Sequence, residues 1–275
     1  MHDFRLAEDR KDRLRSSVIA AMVKGRGGPP PEIRLWEEVD STNVRLRELA
    51  ETGLEPPVIA AAEHQTAGKG RRGRTWHSAH AGNLYLSLLT PLPSPVLMPW
   101  LPLLVGVAVA EVVEAAGGAL WLKWPNDLLD TRERKVGGIL VEASSTGRQR
   151  NGAVIGLGLN VNARVINPGG TEPGCLSEIL GHQLDRNRLI GALFRTIQAR
   201  MEAMQNQGPE GVHAAWLARG LWLGARVEVL LEAGCDAGVF EGLDAHGRIR
   251  VRTEEGEKRF AAGEISLRAD AGGGT

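Results

Sequence analysis

The sequence predicts a two-part protein, an α/β body followed by a small β-barrel. Three observations carry that prediction. Between residues 33 and 207, short apolar strands alternate with helical stretches. After Gly220 the helical periodicity stops, and short strand-like runs follow one another between turn residues. The composition of the 275 residues, 43% apolar and 24% charged, is that of a globular chain long enough to bury a sizeable core.

The elements follow in order. Residues 1–24 read as a short amphipathic helix, with Leu6, Leu14, Val18, Ile19 and Met22 among charges. GRGGPPPE (25–32) breaks it. Ile33–Val39 reads as a strand, and Asp40-Ser41 can cap a helix that runs to about Glu51 and stops at Gly53. Pro57–Glu63 is strand-like, and NLYLSLLT (83–90) puts Leu84, Leu86 and Leu88 on one strand face. Residues 96–116 read as a buried apolar helix. The apolar stretch Val96–Ala110 carries Pro99 and Pro102 and falls short of the roughly 20 residues of a membrane span. Leu120–Lys123, 135–144 and 152–161 are strand candidates, and 185–207 is a helix with Asp185 at its N-cap. Ala225–Leu231, Gly238–Leu243, Arg248–Arg252 and Lys258–Ala261 are the short strands of the barrel, with turns at 244–247 and 254–256. The expected division is a helix and Gly/Pro linker (1–30), a body (31–220), a barrel (221–268) and a disordered tail (269–275).

Charge and cysteines narrow the class. Lys plus Arg number 33 and Asp plus Glu 33, so the net charge is zero, which argues against a nucleic-acid coat or a polybasic membrane anchor. Cys175 and Cys235 form no C-x-x-C pair, so reduced thiols and a cytoplasmic location are expected. The N-terminal MHDFRLAEDRKDRLR lacks the apolar core of a signal peptide.

Four clusters can carry chemistry. The loop AGKGRRGRTW (67–76) satisfies G-x-G-x-x-G at Gly68, Gly70 and Gly73. A dinucleotide site is rejected, because this loop leads into a strand and no acidic residue follows before Glu111. What remains is a loop bearing Lys69, Arg71, Arg72 and Arg74, which fits a solvated basic turn, an anion such as phosphate, or nucleic acid. KWPND (123–127) projects Asn126 and Asp127 from a strand end, where Asp127 can hold Mg²⁺. Lys135 offers a mobile point charge beside Gly137-Gly138. The bland alternative there is an Asx-type turn with an exposed lysine. GLGLN (156–160) leaves one strand face bare, for a ligand or for packing, and ends at Asn160. Ser41-Thr42-Asn43 stands at a helix start, where capping is the default and polar-ligand binding the alternative. No Ser/His/Asp or Cys/His set is present, and the histidines lack metal-ligand spacing.

The order of these clusters is more specific than any one of them. DSTN (40–43), AEHQTAGKGRRGRTW (62–76), LYLSLL (84–89), KWPND (123–127), KVGGILVE (135–142), GLGLNVN (156–162) and GEISLR (263–268) together resemble the bacterial biotin protein ligases, over about residues 33–268. The resemblance implies an α+β catalytic domain akin to class II aminoacyl-tRNA synthetases, with a mixed, largely antiparallel sheet, then an SH3-like β-barrel. It implies a biotin–[acetyl-CoA carboxylase] ligase, which joins biotin and Mg·ATP as biotinyl-5′-AMP. The biotinyl group then passes to a lysine of a biotin carboxyl carrier domain.

The resemblance also implies roles. Ser41, Thr42, Asn43 and Gln65 contact biotin. Lys69, Gly70 and Arg71 close over biotin and the adenylate, and Gly138 and Gly156 line the pocket. Lys135, Arg71 and Asp127 are the catalytic set, with Lys135 on the biotin carboxylate and α-phosphate. Arg71, Trp76, Lys123, Asn126, Asp127, Asn160 and Arg268 serve the nucleotide, with Asp127 toward the metal. Lys69 stands where the family commonly has arginine and lacks its bidentate fork. About 30 residues precede the body, too few for a winged helix-turn-helix, so no DNA binding is expected. No membrane partner is expected either, and a homodimer is compatible with the sequence. Competing readings are a lipoate- or octanoyl-transferring relative, a salt-sensitive nucleic-acid binder and a silent biotin-binding module.

Overall fold

A short helix, α1 (Ser16–Val23), precedes the body. In the body, strand β1 (Glu32–Val39) runs parallel to β2 (Val58–Gln65), with Ile33 opposite Ile59, and helix α2 (Thr42–Glu51) joins them. All other pairings are antiparallel. They bring in β3 (Leu84–Pro91), β4 (Trp121–Lys123), β5 (Asp127–Leu129), β6 (Lys135–Thr146) and β7 (Arg150–Leu159). The sheet order is β1-β2-β3-β7-β6-β5-β4, mixed and largely antiparallel as the resemblance implied. This computed structural model describes residues 3–7, 12–24, 29–79, 82–91, 94–146, 150–165, 171–231, 234–262 and 266–269. Linker residues 25–28 and residues 270–275 lie outside the described residues, and Ala269, expected in the tail, is the last residue of a strand.

The sheet buries both faces. Helix α3 (Leu101–Ala115) and the later α5 (Arg186–Gln207) join the large core with Leu84, Leu86, Leu88, Ile155 and Leu157. On the other face Leu46 and Ala50 of α2 meet Val58, Ala60, Leu89 and Val154. β3 is therefore apolar on both sides, with Ser87 as a polar interruption inside it. The apolar helix does not begin at 96. Residues Pro95–Trp100 form 3₁₀ turns, and the α-helix starts at Leu101 with Pro102 in its first turn, where a missing N–H costs nothing. By length and composition Pro95–Ala115 would pass as a membrane span; here it is a core helix, two-thirds buried.

The N-terminal segment differs from expectation. Only Ser16–Val23 is helical; Leu6 and Leu14 lie outside that helix. Residues 3–7 and 12–15 are drawn out along the body instead. Arg5 bridges to Leu184, the Leu6 N–H donates to the Gln183 carbonyl, and the Arg15 N–H donates to Asn187 Oδ1. The cause is a buried cation. Arg186 is fully buried, donates from Nε to Asp12 Oδ2 at 2.7 Å, and has Glu63 Oε2 2.7 Å from its Nη2. A buried arginine needs such partners, and residue 12 has to leave a helical path to supply one.

Two further helices, α4 (Leu176–Leu180) and α6 (Glu210–Leu217), were not predicted, nor was β5. Asp185 caps α5 as expected, accepting from the Asn187 and Arg188 N–H groups. The C-terminal ladder contains β8 (Arg226–Leu231), β9 (Gly234–Leu243), β10 (Ile249–Thr253), β11 (Gly256–Phe260) and β12 (Ser266–Ala269), in the order β11-β10-β9-β8-β12. It is antiparallel throughout, and its edge strands do not pair with each other among the described residues. It docks on the body through Trp124, whose Nε1–H donates to the Gly247 carbonyl at 3.1 Å.

Candidate active site

Strand register builds the floor of the site. Lys123 lies opposite Asp127, Asp127 opposite Gly138, Gly138 opposite Gly158, and Gly158 opposite Tyr85. This row crosses five strands and has two bare positions at its centre. In the next row Gly156 stands between Ser87 and Leu140. A side chain at Gly158 would strike the Trp76 indole, and one at Gly156 would strike the Asn43 amide. The glycines are thus places where a ring and an amide approach the backbone.

Above this floor is a cavity of about 640 Å³. Every candidate site residue named from the sequence lines it: Ser41, Thr42, Asn43, Gln65, Lys69, Gly70, Arg71, Trp76, Lys123, Asn126, Asp127, Lys135, Gly138, Gly156, Asn160 and Arg268. Gly158, on the bare face expected of 156–160, lines it too; Tyr85, Trp124 and Ile139 also do and were not anticipated.

One end is neutral and buried. Ser41 is the N-cap of α2, but its side chain makes no capping bond. The Thr42 N–H donates to Gln65 Oε1 at 2.8 Å, and the Thr42 hydroxyl lies 3.1 Å from the same oxygen. Ser87 Oγ is 2.6 Å from Asn43 Oδ1 and 2.8 Å from Thr42 Oγ1. Its single proton can go to only one of them. Asn43 Nδ2 donates to Glu142 Oε2 at 2.8 Å, and Glu142 is held in turn by Arg47. Ser87 and Glu142 are the supports that sequence reasoning missed. The available signal was a lone serine inside the leucine strand.

The other end is charged. Lys135 Nζ is 2.6 Å from Asp127 Oδ1 and 5.5 Å from the centre of the Trp76 ring. Arg71 donates to Asn126 Oδ1 at 3.0 Å and to the Ala262 carbonyl in the turn after β11. Burial pushes the Arg71 guanidinium below its ordinary value, with the Asp127 charge opposing that shift. Burial also lowers Lys123, again against Asp127. Asn160 stands apart: its Nδ2 donates to the Gly174 carbonyl at 3.0 Å and the Lys135 carbonyl at 3.3 Å, so that amide ties a loop to β6. Among the described residues no group of three His, Cys, Asp or Glu side chains could hold a metal by itself.

The comparisons with known proteins agree with this geometry. Residues 35–160 match the Biotin/lipoate A/B protein ligase family, and 223–268 match the Biotin protein ligase C terminal domain. The chain is 33% identical over 235 residues to the Escherichia coli bifunctional ligase/repressor BirA, covering 84% of this chain and 72% of that protein. The chain belongs to the biotin protein ligase family. The ligase is also 34% identical over 253 residues to the Mycobacterium tuberculosis biotin–[acetyl-CoA-carboxylase] ligase, covering 87% of this chain and 91% of that one. Its fold matches the Aquifex aeolicus biotin protein ligase in complex with biotin and ATP at TM-score 0.75 and 32% identity, over 87% of this chain and 99% of the other. In this ligase, then, the cavity stands on the matched catalytic domain, while Arg268 reaches it from the matched C-terminal domain and the Ala262 carbonyl there holds Arg71.

Proposed function

We propose that the neutral end of the cavity takes the biotin ring system and the charged end takes ATP, so that the biotin carboxylate and the α-phosphate meet at Lys135. The cross-strand row Lys123–Asp127–Gly138–Gly158 carries this reading. It puts a bare floor between a neutral hydrogen-bonding end and a cluster of cations.

The chemistry needs that arrangement. The biotin carboxylate oxygen attacks the α-phosphorus, pyrophosphate leaves, and biotinyl-5′-AMP forms. Two anions must approach each other, and Lys135 and Arg71 offset the repulsion as charge builds on the phosphorus. Neither residue forms a covalent bond with the substrates. Lys135 is paired to Asp127 at 2.6 Å, and a substrate anion at the ammonium would take the place of that carboxylate. Asp127 is then free to face a magnesium ion. Magnesium is bound by one or two carboxylates plus phosphate oxygens and water, so a single aspartate fits it. The ion would supply charge neutralisation on the polyphosphate.

In the second half-reaction the neutral amine of a carrier lysine attacks the anhydride carbonyl. An amide forms, AMP leaves, and the amine proton is lost. The names of the matched relatives support the biotin carboxyl carrier domain of acetyl-CoA carboxylase as the acceptor, and the reduced thiols fit a cytoplasmic enzyme. The test is exchange of labelled pyrophosphate into ATP. Exchange with biotin but not with lipoate is expected; exchange with lipoate alone sinks the assignment.

A further inference from the structure

Lys123 is an unusual cation in this site. Its neighbour Lys135 has a carboxylate partner, but the Lys123 ammonium makes no ion pair or hydrogen bond among the described residues. Its ammonium lies 4.9 Å from the centre of the Trp222 ring. Such a distance is within cation–π range, and the interaction strengthens as water is removed.

Trp222 is not part of the cavity wall, and its backbone is held in a costly conformation. Its φ is 63°, in the left-handed region that a bulky side chain rarely adopts. The surroundings impose it. On one side the chain is stitched to β4, with the Leu122 N–H donating to Arg219 and the Leu221 N–H to Leu122, both at 2.9 Å. On the other side the Gly224 N–H donates to Phe240 of β9 at 2.8 Å, and the Ala225 N–H donates to Trp222 at 2.9 Å. Trp222 is the pivot between the catalytic body and the C-terminal ladder. Strain of this kind persists where surrounding structure over-determines it, and it collects at functional positions.

We propose that Trp222 is a positioning residue for the nucleotide, holding the Lys123 ammonium by its ring face so that the lysine meets the ATP polyphosphate. This deepens the reading that ATP occupies the charged end. The chemical logic lies in what a ring does that a carboxylate does not. A carboxylate partner has to be displaced by the incoming phosphate. A ring face steadies the ammonium without neutralising it and leaves its other side open to an anion. The facing charges are Asp127, Lys135, Arg268 and Glu133. Asp127 thus faces Lys123, Lys135 and Arg71 near the row's end. The arrangement makes the C-terminal domain a part of nucleotide binding through the junction as well as through Arg268.

The experiment is a double-mutant cycle read by biotin-dependent pyrophosphate exchange in the full chain. Trp222→Leu is expected to raise the KM for ATP about three- to tenfold and to leave the KM for biotin unchanged. Trp222→Phe, which keeps a ring, should recover most of the loss. In a Lys123→Met background, Trp222→Leu should have no further effect. An unchanged KM for ATP in Trp222→Leu overturns the proposal. So does a loss of equal size with and without Lys123. If Trp222→Leu does not fold, the same cycle is run with Trp222→Asn, which also removes the ring and tolerates the left-handed backbone, and an equal loss in both backgrounds again overturns it. Failure of the unsubstituted protein to exchange at all would instead strike the adenylation reading, so the two failures are distinguishable.

Discussion

The two ends of the cavity are built from different materials. At the neutral end, Thr42, Asn43, Gln65 and Ser87 are buried and bonded to one another. They sit on a helix start and on central strands, which fix side chains closely. At the charged end, Lys135 and Asp127 remain about a quarter exposed. Arg71 comes from a loop, Arg268 from the C-terminal ladder, and Lys123 from a strand at the sheet edge. The neutral end is suited to select by shape, because a buried polar group left unpaired is costly. The charged end is suited to act on a transition state, because its cations can exchange protein partners for developing charge.

The largest expected effect breaks the comparison at its charged end. Lys135→Ala should slow adenylation by about 10² or more. Unchanged turnover in pyrophosphate exchange would remove Lys135 from the chemistry. Arg71→Gly loses the tie to Asn126 and to the Ala262 carbonyl. It should release the adenylate, seen as ATP consumption in excess of carrier labelling; tight coupling would contradict that role.

At the neutral end Gly156→Ala puts a methyl group against the Asn43 amide, which Ser87 and Glu142 hold in place. The KM for biotin should rise about tenfold while the KM for ATP stays constant. A shift in both would show that the two ends are not separable. Ser87→Ala leaves Asn43 Oδ1 without that donor and should weaken biotin binding by a factor of about two to ten, measurable by calorimetry.

The smallest effect lies behind Lys135. Asp130–Arg134 and Asp244–Arg248 are two copies of one turn. In each, the aspartate Oδ1 accepts two backbone N–H groups, and Oδ2 accepts the arginine Nε at 2.7 Å. The left-handed position is Gly247 in the second turn, with φ 72°, but Glu133 in the first, with φ 60°. Glu133→Gly should therefore raise stability by about 1 kcal/mol or less without altering turnover, read from denaturant midpoints. A loss of activity would mean that the turn itself sets Lys135.

These turns also show where the sequence could be read. The Asp244–Gly247 hairpin was legible because glycine marks the left-handed position. The equivalent turn before Lys135 was not, since Glu133 hides the same geometry, and β5 was missed with it. The N-terminal segment misled for another reason. Its apolar residues suit a helix, but the need of buried Arg186 for Asp12 overrides local propensity.

The sequence by itself determined the residue types at the site, the longer strands and helices of the body and the change of texture after Gly220. These follow from periodicity, turn chemistry and motif order, which are local. Only the tertiary structure decided that Gly138 and Gly158 lie side by side between Asp127 and Tyr85. It alone decided that Ser87 and Glu142 hold Asn43, and that Trp222 stands under Lys123. Register and junction geometry join residues far apart in the chain, and no local pattern encodes a contact whose two halves are set by the packing of the whole sheet.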